Sequence, residues 1–342
     1  MDTIQLVMPE RAELIEIGKT VMDRLTTEGN PLFQHMPVKT TNEDKIIFEQ
    51  EADTLGMQHA RAVGGPSHRV QSLDANRISV DPFAAGEHML ITEEDIKAKR
   101  KLGTFGDHAD ISSDVVKKQS QLIHREVSRI LYAGWTMLAE GAVTNTAPDG
   151  QQVWTDTFPV NDYVIAIPWS TYASATPILD LRLMRNLQRG KGVKFDGTAV
   201  MYANQDVAND LLNNRNASDL WGIRQGGGNT VNGLKGINQV LAEENLPQLV
   251  IMDDGYKTTP TTEVQFLPYK RIVVAGKRQD AEPIAEYRMT FNPSTGVGGS
   301  HDFVIDSKDV GQPVPRWVKI ERGHFGGPCL FFPSSFVRMR WA

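Results

Sequence analysis

Between positions 112 and 141 the chain keeps its apolar residues on one helical face for longer than anywhere else in the sequence. Val115, Leu122, Ile123, Val127, Ile130, Leu131, Met137 and Leu138 recur at spacings of three, four, seven or eight and draw one stripe along a polar cylinder, with no Pro to interrupt it. The pattern predicts a helix over 112–141. At 1.5 Å of rise per residue such a helix is roughly 40 Å long, a spine that implies a flat or elongated subunit. Ser112 or Ser113 can accept from the free N–H groups of the first turn, and Asp114 places negative charge at the positive end of the helix dipole.

Upstream of the spine the period changes twice. Leu14, Ile17, Val21, Met22 and Leu25 predict a short amphipathic helix over 9–25 with Pro9 in its first turn. Asn30-Pro31-Leu32-Phe33 and Met36-Pro37 then read as an extended arm with a few apolar anchors. From Asp44 alternation takes over, at 45–49, 57–63 and 76–80, with a turn-rich polar tip at 64–70. Together these predict a long two-stranded excursion. An isolated ribbon is marginal in water, so it should lie against this subunit or the next. Thr92 and Asp95 stand at capping-box spacing before a short basic helix that runs to Lys101.

Downstream, a turn at 144–150 precedes strands at 152–156 and 163–167 and a helix over 177–189. A compact mixed region follows. It holds a strand at 197–202, a helix over 207–213 capped by Asn204 or Asp206, a glycine-rich loop at 222–236, and strands at 245–252, 266–276 and 302–307. Closing strands are expected at 316–322 and 329–340. Strands and helices alternating in this way predict an α+β or α/β core, and no internal repeat is visible.

Composition removes several function classes. In 342 residues the net charge is −6 and the pI near 5.8, so a nucleic-acid coat that works by neutralising phosphates is excluded and any DNA contact should be weak. Cys329 is alone, which leaves no disulfide framework and fits a reducing compartment. The start MDTIQLVMPERAEL lacks a secretory pattern and no run approaches the length of a membrane span, so neither secretion nor membrane insertion is expected.

Candidate chemistry is sparse. In 226–236 a phosphate loop fails on spacing, because Leu234 separates Gly233 from Lys235. The eight His residues form no H-x-x-x-H pair and no Cys cluster exists, so no metal site is expected. His124 lies between apolar positions of the spine and reads as a satisfied helical residue. Asp253 and Asp254, like Glu93 and Glu94, are neighbours along the chain and seldom converge on one atom. No nucleophile with its base is recognisable, and neither a catalytic residue nor a cofactor site is expected.

The order of parts carries a resemblance. An extended arm (30–37), a long loop with Arg61-Ala62-Val63-Gly64-Gly65-Pro66 and Asp81-Pro82-Phe83, and an exit through Leu90-Ile91-Thr92-Glu93-Glu94-Asp95 precede the spine. After it come Ala175-Thr176-Pro177-Ile178-Leu179-Asp180-Leu181 and a strand and helix from Val200 to Leu212. This order resembles the major capsid proteins of tailed phages with the Hong Kong-97-type fold, and within them the lambda-type capsid protein E family, over roughly 30–340. The sequence departs from that family at 155–159, where Thr155-Asp156-Thr157-Phe158-Pro159 stands in place of its usual strand.

The resemblance implies an α+β, HK97-like fold with an N-terminal arm (1–42), an extended hairpin loop (43–91) and a peripheral domain around the spine (92–194). An axial domain (195–312) and C-terminal strands returning to the peripheral domain (313–342) complete it. It implies a shell protein rather than an enzyme, built into hexamers and pentamers of an icosahedral head in the virion, assembled in the host cytoplasm around double-stranded DNA. Implied partners are further copies of the chain, a separate scaffolding protein, a portal and a decoration protein. The alternatives are an encapsulin-like compartment and, behind it, a soluble α/β enzyme. Candidate intersubunit contacts are Arg61, Gly64, Gly65, Pro66, His68, Arg69 and Arg77. Deleting 64–69 should leave a folded subunit that assembles poorly, as read by circular dichroism and sedimentation; normal particles would show that the tip makes no intersubunit contact.

Overall fold

The computed structural model describes residues 6–50, 60–61, 63, 76–99, 109–146, 152–214, 233–258, 261–278, 283–312 and 314–341. In chain order the main elements begin with helices α1 (Arg11–Arg24) and α2 (Leu32–His35). Strands β1 (Val38–Thr40), β2 (Ile46–Gln50), β3 (Asn76–Val80) and β4 (Phe83–Ile91) lead to α3 (Glu93–Ala98) and the spine α4 (Ser112–Glu140). Next are β5 (Ala142–Thr146), β6 (Gln152–Thr157), β7 (Asn161–Ile165), α5 (Pro177–Leu187), β8 (Val200–Ala203), α6 (Gln205–Asn213) and α7 (Gly233–Glu243). The last are β9 (Gln248–Ile251), β10 (Arg271–Ala275), β11 (Ala285–Met289), β12 (His301–Asp306), β13 (Val318–Leu330) and β14 (Phe336–Trp341).

The chain divides into two compact units, one of residues 1–46, 79–132 and 286–329, the other of 47–78, 133–285 and 330–342. The division falls within the spine itself. In the first unit the 13-residue β13 organises one sheet: it pairs with β4, β11 and β12, and β1 adds in parallel to β11. The register with β4 runs from Val318 opposite Ile91 to Gly326 opposite Phe83, and that with β12 sets Asp302 opposite Arg322. Side chains of a strand alternate between faces. Val318, Ile320, Arg322 and His324 therefore share one face, where all are buried, while Lys319, Glu321 and Phe325 share the more open one. The spine lies on the buried face. Leu14 of α1, Ile91, Ile96 of α3, Val115 and Leu122 of the spine, Val318 and Ile320 form its apolar core. The sheet strands approach closely at Gly323, where a Cβ would stand 2.4 Å from the Ala85 carbonyl oxygen.

The second unit is a five-stranded mixed sheet in the order β9-β8-β10-β14-β7, parallel at both ends and antiparallel in the middle. Its core joins Met201, Ala203, Ile272, Val274, Val337 and Met339 of the sheet to α5, α6 and α7. Such an apolar layer between one sheet face and helices is the arrangement that α+β chains use to bury both.

Most predicted elements stand where the patterns put them, and three differ. The arm at 30–37 contains a turn of helix, α2, and its anchors Leu32, Phe33 and Met36 are buried within the chain rather than waiting for another surface. Asn30 drives the turn, since its Oδ1 accepts from the Leu32 N–H at 3.0 Å. At the spine's start the acceptor is Asp110, which takes the Ser112 N–H at 2.9 Å, while the Ser112 hydroxyl donates to the Val7 carbonyl. Of the glycine-rich loop at 222–236, residues 222–232 lie outside the described set, and Gly233–Gly236 form the first turn of α7. The two closing strands take separate places, β13 in the first sheet and β14 in the second.

Candidate functional site

The site expected from sequence was the hairpin. Its base is formed by β2 and β3, which pair with each other. Burial alternates along β2, with Ile46, Phe48 and Gln50 inward. Phe48 meets Phe331 edge-on at 5.6 Å, and Gln50 Nε2 donates to the Leu330 carbonyl at 2.9 Å. The base is thus fastened to its own chain. Arg61 and Arg77 are exposed, whereas Gly64, Gly65, Pro66, His68 and Arg69 lie outside the described residues.

What sequence reasoning missed is a carboxylate in the middle of the spine. Glu126 falls three residues after Ile123 and four before Ile130, on the apolar stripe, and is 8% exposed. A buried carboxylate is tolerated only when paired and hydrogen-bonded. Arg322 Nε donates to Glu126 Oε2, Ser300 Oγ donates to Oε1 at 2.6 Å, and His324 Nδ1 lies 2.8 Å from the same Oε1. On its other side Arg322 Nη1 donates to Asp302 Oδ2, and Tyr287 Oη stands 2.9 Å from His324 Nε2. Phe83 closes the cluster edge-on to both His324 and Tyr287. Over the Arg322–Asp302 pair α1 presents Gly18, whose missing Cβ would stand 3.1 Å from Arg322 Nη1 and 3.2 Å from Asp302 Oδ2.

The electrostatics sort the two carboxyls. Burial works against ionisation of Glu126, but the His324, Arg322 and Ser300 contacts together outweigh it and bring its pKa down to about 2. For Asp302 burial prevails over Arg322 and pushes the pKa up, so Asp302 is the carboxyl that takes a proton first. Burial pushes the Tyr287 hydroxyl well above its ordinary value, so it stays protonated beside His324 Nε2, and both ring nitrogens of His324 have a hydrogen-bond partner, Tyr287 Oη and Glu126 Oε1.

The spine's other polar residues do less. Arg125 grips Glu87 with two bonds, one of 2.7 Å from Nη2, but half-exposed pairs of this kind contribute little. Arg129 lies over the rings of Phe83 and Tyr132 at 5.2 and 5.3 Å, and His124 is exposed. So the face carrying Glu126 looks onto the sheet and the face carrying His124 looks away from it. Arranged this way, the cluster is chemistry for fixing one element to another: its carboxylate, guanidinium and imidazole are spent on each other and shielded from water. Among the described residues no group of three His, Cys, Asp or Glu side chains is placed to hold a metal ion.

No family model matches the sequence, and no curated protein matches it. The fold does have solved likenesses. The putative capsid protein of a prophage from Escherichia coli CFT073 is 12% identical, with 98% of this chain and 100% of that chain covered at a TM-score of 0.58. A phage-related protein from Bordetella bronchiseptica RB50 is 6% identical, with coverage of 99% and 98% and a TM-score of 0.56. The capsid of a native GTA particle is 12% identical, with coverage of 93% and 98% at 0.50. At such identities the likeness defines the fold: the chain has the α+β, Hong Kong-97-type architecture of phage major capsid proteins.

The folded Glu126 value of about 2 lies below the ordinary 4.5, so its contribution is complete above pH 4.5 and is lost as pH falls towards 2. Glu126→Gln should cost on the order of 3 kcal/mol near neutrality. In urea unfolding at pH 6 and pH 3, the gap between wild type and variant should narrow at the lower pH; an equal gap at both would rule out this linkage.

Proposed function

We propose that this chain is the major capsid protein of a tailed double-stranded DNA phage, assembling into the hexamers and pentamers of an icosahedral head. The observation that carries the reading is the end-to-end likeness to a prophage capsid protein, 98% of one chain on 100% of the other. A likeness of that extent leaves little chain over for another activity. The chemistry of the spine supports it, since the buried charges fix elements to one another instead of facing a substrate.

In this reading 43–91 is a loop that laps onto an adjacent subunit with Arg61 and Arg77 among its contacts, and 195–312 the region that meets its copies near the capsomer centre, while the segment 1–42, expected to run along a neighbour, packs Leu14, Leu32 and Met36 into its own chain. The site of action is the virion, with assembly in the host cytoplasm. Further copies are the principal partner, joined by a separate scaffolding protein, a portal and a decoration protein. A net charge of −6 suits a container that must not grip its DNA. Many modest contacts repeated by symmetry make such a shell durable. The purified protein, screened over salt and crowding conditions, should give closed particles by sedimentation and electron microscopy. A subunit that stays monomeric or dimeric under every condition would overturn the proposal.

A further inference from the structure

At one edge of the second unit's sheet a side chain stands where a strand would. Among the described residues β9 is the outermost strand, bonded to β8 alone, in parallel, with Gln248 opposite Val200 and Val250 opposite Tyr202. The Gln248 N–H is given to the Ala199 carbonyl and the Met252 N–H to the Ala203 carbonyl, so the even-numbered residues face β8. Backbone groups alternate in direction along a strand, and those of Leu249 and Ile251 therefore point away from the sheet. A row of this kind is a template for another strand. Asn238 of α7 takes both groups of Leu249: its Oδ1 accepts from the Leu249 N–H at 2.7 Å and its Nδ2 donates to the Leu249 carbonyl at 2.8 Å. That is the pair of bonds a residue of a neighbouring antiparallel strand makes. Asn is a weak helix former, because its amide competes with the helix for backbone partners. It stands in mid-helix here on the flank of the side that buries Ile237, Val240 and Leu241, about 100° round from Ile237, where it reaches over the sheet's rim.

We propose that Asn238 is a strand mimic that keeps this edge closed to a second copy of the chain, whose own β9 is the strand it would otherwise admit. Two β9 strands set antiparallel about a twofold axis at Val250 satisfy one another. The outward groups of Leu249 meet those of Ile251 in the other copy, and the reverse, while Val250 faces Val250 across the closer, non-hydrogen-bonded spacing. The side chains do nothing to oppose this pairing: β9 reads Gln-Leu-Val-Ile, with neither a charge nor a Pro, and Val250 is exposed. Edge strands are ordinarily protected by such residues or by a covering element, so here the protection falls to Asn238. The block acts on the free subunit, and with it in place copies meet through surfaces other than a continued sheet.

Asn238→Ala removes the mimic, and Val250→Lys sets two ammonium groups face to face in the proposed pair without touching the Leu249 bonds. In sedimentation velocity on the subunit, at concentrations where the wild type forms no particles, N238A should show a dimer fraction several-fold above wild type, and N238A/V250K should return to the wild-type level. N238A that folds by circular dichroism and stays at the wild-type level overturns the proposal, as does a dimer that V250K leaves intact. Asn238→Asp covers a failure of N238A to fold, since it keeps the size and the bond from the Leu249 N–H and loses only the donor to the carbonyl. N238D should dimerise above wild type and be returned to it by V250K; N238D at the wild-type level overturns the proposal.

Discussion

Glu126 must not be left alone. A carboxylate withdrawn from water in the middle of an apolar stripe would cost more than such a fold can spare, and its partners come from a strand nearly two hundred residues further along. That requirement fixes the rotation of the spine about its own axis, because only one face can reach Arg322 and His324. It fixes the register of the sheet as well. Arg322 can serve both Glu126 and Asp302 only if β13 and β12 are aligned as they are, and a slip of one residue would send it to the open face. The lid over the pair, Gly18 of α1, ties the first helix of the chain to the same point. A single ionic arrangement thus positions a helix, a sheet and the N-terminal segment relative to one another within the first unit.

Buried ion pairs are a poor source of stability compared with well-packed hydrocarbon, and their better-attested use is to specify one arrangement among several. In the proposed shell such specification would matter, because small contacts repeated by symmetry would carry an error in the angle of one element to every copy. The second unit centres on an apolar layer between its sheet and three helices, and two of its carboxylates are each held by a partner: Asp180 accepts from Trp169 at 2.9 Å and Asp210 from Tyr269 at 2.9 Å.

Much of this was legible in the sequence. The spine, α5, the Asn204 cap of α6 and the Thr92–Asp95 capping box are set by spacing along a few residues, and all stand as read. At the arm, Asn30 and Pro31 signal a turn as readily as an extension, and burial of Leu32 and Met36 decides for the turn. Glu126 was visible as a charge on an apolar stripe, and that anomaly predicts a counter-charge, but local patterns cannot say that Arg322 supplies it. Long-range pairing of this kind depends on sheet register, which no stretch of sequence contains by itself. The fold likeness to capsid proteins followed from the order of elements, whereas the proposed contacts at Arg61 and Arg77 rest on that order alone.

The central claim is that the Glu126 cluster holds the spine to its sheet before any copy meets another. Amide hydrogen exchange on the unassembled subunit tests it most directly. The account predicts that the amides of 122–131 are among the slowest in the chain, and that Glu126→Ala raises their exchange far more than it raises exchange in β8 and β10 of the second unit. Spine amides that already exchange rapidly in the wild-type subunit, or that are indifferent to the loss of Glu126, would contradict it.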